Sequence, residues 1–170
     1  MADENHLSLI NKGPEVWNAW IEKNPDEIPD FFQADLRGKQ LVKFNLQNAN
    51  LKEAKLQSSN LNSAVLNDAK LRKAKLQETN LQRANFENAD LRDVNFFEAN
   101  LQFANLQNAD LRGAQFSEEV LFTQANLKGT NLTGATGLTV GQIESAITDK
   151  TTQLPDYLDE EMEDGFLLQM

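Results

Sequence analysis

Few side chains in this sequence are placed to do chemistry. The one imidazole, His6, lies near the amino terminus with no nucleophile in motif distance, so no activated serine, threonine or lysine can be read around it. There is no cysteine, which excludes disulfides, thiolate catalysis and cysteine-ligated zinc. No glycine-rich phosphate loop occurs, and the acidic run Asp156–Asp164 lacks the D-x-D-x-D-G order of a calcium loop. The expectation is a protein that is not an enzyme, with no catalytic, metal or cofactor-binding residue. What remains is the chemistry of recognition. Lys52, Arg72, Arg92 and Arg112 recur at steps of twenty, and Phe97 and Phe103 interrupt otherwise polar stretches. These six are the candidate partner-binding residues.

The element that must position them is a repeat. From Ala34 the chain can be written in fives: ADLRG, KQLVK, FNLQN, ANLKE, AKLQS and onward. Leu or Phe occupies every fifth position without a miss from Phe31 to Phe116. Two residues earlier stands Ala, Ser, Thr or Val, except at Pro29, Lys39 and Phe44. A period of five fits neither a helix nor a strand. Residues two apart do share one side of an extended chain. A chain that turns a corner after each short extended piece brings every Ala–Leu pair inward and leaves three polar residues outside. Stacked coils then bury a continuous core and satisfy backbone groups from coil to coil.

Tandem A(D/N)LXX over roughly two thirds of the chain resembles the pentapeptide-repeat family. The leader WNAW, followed by Asn24-Pro25, resembles that of cyanobacterial members. The resemblance implies an all-β solenoid, a right-handed quadrilateral β-helix with one pentapeptide per side and four per coil. Some members protect DNA gyrase from quinolones by presenting a rod of duplex-like negative charge. Cyanobacterial members include regulators of differentiation.

The chain divides accordingly. Residues 1–30 form an N-terminal segment and capping helix, with 1–12 expected to be frayed. Gly13-Pro14 reads as a helix start, and Val16, Trp17, Trp20 and Ile21 fall on one helical face. Residues 31–138 form the β-helix, of about five coils and about 25 Å at ~4.8 Å per coil. Residues 139–158 form a second cap, in which Thr139 and Gln142 fit a capping box and Ile143 and Ile147 share an apolar helical face. Residues 159–170 form an acidic tail expected to be mobile. Phe44 is too bulky to point between two ordinary coils, so it is expected to pack against Trp17 or Trp20 of the first cap, while Lys39 leaves the interior. Between Phe116 and Leu127 one residue is extra. Phe122 is the preferred inward residue there, with Val120 in the small position.

Residues twenty apart should lie above one another. One face then carries the Lys52–Arg112 ladder, with a basic patch around Lys52, Lys70, Arg72 and Lys73. The opposite face carries amides such as Asn45, Gln47, Asn105 and Gln107. Phe97 and Phe103 lie on adjacent faces of one coil.

Charge separates the functional classes. The net charge is −10, yet residues 31–138 carry eleven acids against thirteen bases, a net +2. Residues 1–30 carry −5 and residues 139–170 carry −7. A duplex mimic needs an acidic rod, so a gyrase-directed role is the alternative reading and not the preferred one. No outward aromatics accompany the ladder to stack bases, so no nucleic-acid partner is expected. The amino terminus is acidic and lacks a long apolar run, so neither a signal peptide nor a membrane partner is expected, and the cytoplasm is the default. The expectation is a rigid binding or scaffold module for a protein partner, acting as a monomer or weak dimer.

The inward column yields the first prediction. Each buried Leu is worth roughly 1.5–3 kcal/mol, and an unpaired buried charge costs more. Leu81→Glu or Leu91→Glu should abolish the cooperative urea transition followed by far-ultraviolet dichroism. A charge at an outward residue such as Gln77 should leave it almost unchanged.

Overall fold

The computed structural model describes residues 1–158. The expected mobile tail, 159–170, lies outside the described residues. Between the ends the chain makes one local move over and over. The N–H of the residue three beyond each central Leu or Phe donates back to its carbonyl, as Ala54 does to Leu51 at 3.1 Å. The third residue of that turn is left-handed, for example Glu53 at φ 57° and Asp68 at φ 59°, the sign a type II turn requires there. For a residue with a Cβ this costs on the order of 1 kcal/mol. Local preference therefore does not select the turn.

The neighbouring coil does. In one pentad, Leu51 N–H donates to Lys70 O at 2.8 Å and Glu53 N–H to Arg72 O at 3.0 Å, while Lys70 N–H returns to Ala49 O at 2.9 Å. Where Asn or Asp precedes the central residue, its side chain in most pentads takes the remaining N–H. Asn60 Oδ1 accepts from Asn62 N–H, and Asn80 Oδ1 from Gln82 N–H, both at 3.1 Å. This Asx turn is the reason Asn and Asp recur before the central Leu.

The outcome is parallel pairing at a step of twenty. One column runs Asp30, Asn50, Lys70, Asp90, Asp110; others start at Asp35, Gln40 and Asn45. Four columns make a four-sided β-solenoid, with sides 1 to 4 centred on Leu51, Leu56, Leu61 and Leu66. The amide residues Asn45, Asn105 and Gln107 belong to side 4. That side adjoins the Lys52–Arg112 side and is not opposite to it, because fifteen residues make three corners of four. Beyond Phe116 the step becomes twenty-one, as in Asn100 with Leu121. The extra residue is absorbed at Ser117–Val120, where Val120 N–H donates to Ser117 O. Val120 and Phe122 are buried and Leu121 faces out.

The interior is a filled column of Leu and Phe with Ala between coils. Phe96 and Phe116 stack at 5.2 Å with nearly parallel rings. Ser59, Thr79 and Thr130 stand in Ala positions, and their hydroxyls donate to the carbonyls of Leu56, Leu56 and Leu106. None of these hydroxyls is left unsatisfied, which keeps their burial inexpensive. Gln77 departs from the simple inside–outside rule. It is half-buried, and its Oε1 is shielded without a hydrogen-bond partner. A carboxylate there would be partly desolvated, so the silent control for the Leu81 variant is better placed at the exposed Gln47, whose side chain makes no hydrogen bond among the described residues.

The first end corrects the expectation of a frayed terminus. Helix α1 spans Glu4–Ile10 and is capped by Asp3, whose carboxylate accepts from His6 N–H at 3.0 Å. His6 is buried; its Nδ1 accepts from Asp30 N–H at 3.1 Å, and its ring meets Trp20 edge-on at 4.9 Å. Helix α2 spans Pro14–Lys23. Trp17 is fully buried, and its indole N–H donates to Asn45 O at 2.7 Å. The aromatic partner of Trp17 in the solenoid is Phe31, at 5.5 Å. Phe44, expected in that role, is buried but makes no aromatic pair among the described residues. Phe31 stands in the central column, while α2 meets the backbone on either side of Phe44 through Asn18 and Trp17, at Lys43 O and Asn45. Lys39 reaches outward, its ammonium donating to Asn11 Oδ1 at 2.7 Å.

At the other end α3 spans Val140–Ser145, with both capping-box hydrogen bonds of Thr139 and Gln142 present. Ile143 is buried beneath it. Ile147 is corrected: it lies beyond the helix, pairs in parallel with Asn126 and is 38% exposed. Gln153 likewise pairs with Asn131. The boundary at 138 is thus too early, since the solenoid's pairing continues past α3. Pairing uses the carbonyl and N–H of Ile147, which a longer helix would have consumed. Gly137 makes the passage possible: it has φ 79°, and a Cβ there would strike the carbonyl oxygen of Phe116. Gly137→Ala should lower stability by about 2 kcal/mol or more, seen as a lower midpoint in thermal denaturation. An unchanged midpoint would mean the last coil melts independently.

Candidate functional site

Three pentads read A-D-L-R: those centred on Leu91 and Leu111 on the ladder side, and that centred on Leu36 on side 2. In each, the Asp sits in the pairing column and the Arg two residues on, on the same side of the chain. Asp35 and Arg37, Asp90 and Arg92, and Asp110 and Arg112 all form such pairs, with Arg Nη2 to Asp Oδ2 at 2.5, 2.7 and 2.7 Å. Nε donates to the other carboxylate oxygen in each case, so the pairs are bidentate. Arg92 also reaches Asp110 at 3.6 Å, and Arg72 donates to Asp93 at 3.2 Å. The guanidinium of Arg37 holds the Asp35 carboxyl down to about 2. Arg92 and Arg112 hold Asp90 and Asp110 below the usual value as well.

This alters the ladder. Of the four candidates Lys52, Arg72, Arg92 and Arg112, the three arginines are engaged and Lys52 makes no ion pair among the described residues. Unpaired positive charge collects lower down, at the edge between sides 1 and 2. Lys52, Lys70 and Lys73 come from side 1, joined by Lys55 and Lys75 from side 2. Lys55 and Lys75 pair directly in adjacent coils, about 4.8 Å apart along the stack. A shallow concavity of about 570 Å³ lies here, lined by Gln33, Glu53, Lys55, Lys73 and Lys75. Glu53 accepts from Gln33 at 2.8 Å.

Two like charges 4 Å apart in water repel by about 1 kcal/mol, so stacking lysines costs stability. Side 1 solves that problem with Asp–Arg pairs one and two coils above Lys70 and Lys73. The lysine edge is therefore no device for stability. Lys55 and Lys75 were not singled out from the sequence, although their spacing of twenty carried the signal.

The aromatic candidates are both outward. Phe97 is 42% exposed and Phe103 is 49% exposed. Phe103 is not bare: the Arg83 guanidinium lies 5.3 Å from its ring centroid. Leu121, 45% exposed, stands above Asn100, the pairing residue between them. Its exposure follows directly from turning Phe122 inward. The amides of side 4 bond one another up the column, Asn105 to Asn85 and Asn126 to Asn105, both at 3.0 Å, which accounts for them structurally. Of the cap candidates, Trp17 and Trp20 face His6 and Phe31, and Ile143 lies under α3. Among the described residues no helix is long and apolar enough to cross a membrane.

The family model for the pentapeptide repeat region matches residues 30–116. The chain belongs to the pentapeptide-repeat family. A search of curated protein sequences returned no match. Among solved structures, the chain is similar to a pentapeptide repeat protein of the Arabidopsis thaliana thylakoid lumen, at 27% identity and TM-score 0.63, covering 69% of this chain and 85% of that one. It is also similar to Rfr23 of the cyanobacterium Cyanothece, at 28% identity and TM-score 0.40, covering 81% and 97%. A third is HetL of the cyanobacterium Nostoc, a pentapeptide repeat protein involved in heterocyst differentiation regulation, at 31% identity and TM-score 0.36. There the match covers 75% of this pentapeptide-repeat chain and 61% of HetL.

The Asp–Arg pairs set a pH dependence. Their carboxyls titrate lower in the folded chain than the ordinary 3.8. The stability they contribute is complete above about 3.8 and is lost as pH falls toward the folded values, about 2 for Asp35. The thermal midpoint should decline across this window, and less steeply in Asp90→Asn/Asp110→Asn. Equal slopes would show that these pairs contribute nothing.

Proposed function

We propose that this chain is a non-enzymatic, rigid scaffold that recognises a protein partner with an acidic surface through the lysine edge between sides 1 and 2. The observation carrying this reading is that Lys52, Lys55, Lys70, Lys73 and Lys75 have no ion pair among the described residues, while the arginines above them do. Clustered unpaired charge accelerates encounter with a complementary surface and fixes its register. The filled interior supports the non-enzymatic reading: Leu, Phe and Ala occupy the space where a pocket would be. The chain acts as a monomer or weak dimer, without nucleic acid or membrane. We take the winding as a right-handed quadrilateral β-helix, since parallel neighbours joined by a crossover are overwhelmingly right-handed. A gyrase-directed mimic of duplex DNA would need acidic coils, and here the coils carry +2 with a basic edge.

Tagged protein recovered from the native host should retain a partner that salt releases. Lys55→Glu/Lys73→Glu/Lys75→Glu should lose it, and Phe97→Ser/Phe103→Ser should keep it. Retention by the lysine variant would overturn the reading. Protection of gyrase from a quinolone in a supercoiling assay at stoichiometric protein would replace it with the mimic.

A further inference from the structure

The lysine edge has a candidate occupant within the same polypeptide. Residues 159–164 read Asp, Glu, Glu, Met, Glu, Asp, five carboxylates in six positions. We propose that this acidic stretch of the chain's own carboxyl end is a tethered ligand of the lysine edge, and that an external acidic partner must displace it.

Three observations carry this. The first is charge. Five lysines without ion pairs among the described residues face one edge, and five acids stand consecutively but for one Met.

The second is the point of departure. The described chain runs out at Leu158, which is buried at the far end of the solenoid, five residues past Gln153. Gln153 pairs with Asn131, at the top of the column that descends through Asp110 and Asp90 to Lys70. The Tyr157 hydroxyl accepts from Leu138 N–H at 3.0 Å. Leu138 closely follows Thr136, the top of the column that descends through Gln115 and Asn95 to Lys75 and Lys55. Sides 1 and 2 meet between these two columns.

The third is reach. Thr136 to Lys75 is three pairing steps, about 14 Å, and Lys55 is one more, about 19 Å. Six extended residues span about 20 Å. The positions at the edge on the way down are Gly134, Gly113 and Asp93, beside Thr136, Gln115 and Asn95. Asp93 is the one like charge among them, and it is engaged with Arg72 at 3.2 Å.

A tether of this length holds its ligand at an effective concentration in the millimolar range. Modest affinity is then enough to occupy the edge at low salt, and a partner must compete with it. The inference uses the same lysines as the proposed function but does not depend on any external partner. Partner capture and tail placement are read in different experiments, so one can fail while the other stands.

The chain has no cysteine, so a nitroxide can be placed uniquely by Met162→Cys in the full-length protein. In the isotope-labelled chain, the expected result is loss of the amide signals of Lys73 and Lys75 at low salt. Those of Asn85 and Phe103, on other sides, should be retained. The signals should return at about 1 M salt, where the Debye length is about 3 Å, and in Lys55→Gln/Lys73→Gln/Lys75→Gln at low salt. Loss confined to residues near Gly134 and Thr136, equal loss on all four sides, or loss indifferent to salt and to the lysine variant would overturn the proposal. So would loss in an isotope-labelled, nitroxide-free chain mixed with an unlabelled spin-labelled one, which would put the acidic stretch on a second copy.

Discussion

Parallel pairing between residues twenty apart is the constraint on which the rest of this molecule depends. Each coil offers its neighbours a fixed row of carbonyls and N–H groups, and the next coil must present its own at the same spacing. The strained left-handed residue at every corner follows from that demand, because only such a corner keeps the following N–H aimed at the coil above. The strain, on the order of 1 kcal/mol per corner, is offset by the burial of a Leu or Phe in each pentad, roughly 1.5–3 kcal/mol. In most pentads with Asn or Asp before the central residue, an Asx turn gives the N–H outside the ladder an acceptor.

A prism with a filled interior can act only through its outside, and pairing sets that outside as firmly as the core. Every outward residue has a neighbour one coil up and one coil down at strand spacing. A run of like charge is then either neutralised within the side or retained at a cost. Both occur here. Asp90, Arg92, Asp110 and Arg112 form a network, whereas Lys55 pairs with Lys75 in the next coil and neither makes an ion pair among the described residues. The contrast within a single solenoid separates charges neutralised in place from charges left without an ion pair among the described residues.

The ends of the stack are held differently from its middle. At the first end an aromatic group of His6, Trp17, Trp20 and Phe31 covers the open column, with hydrogen bonds from Trp17 to Asn45 O and from Asp30 to His6 closing polar groups that the missing coil would have met. At the other, α3 interrupts the winding, and Ile147 and Gln153 then resume it. Both solutions protect an edge that would otherwise pair with another chain.

The repeat, the inward column and the inward choice of Phe122 were legible because they depend only on period and side-chain size. So was the pairing step of twenty, once the family resemblance supplied four sides per coil. The partnering of the arginines, the half-burial of Gln77 and the meeting of Lys73 with Lys55 and Lys75 were not legible from one side's residues read alone. Nor was the place of His6 or Ile147, since seven residues of helix and a single pairing residue are too short to carry a periodic signal. The linear order of residues determined what lies inside this protein, because burial answers to a strictly local rhythm. Which charges remain free on its surface was decided only by the stacked coils, because ion pairing across an edge depends on distances between residues far apart in the chain.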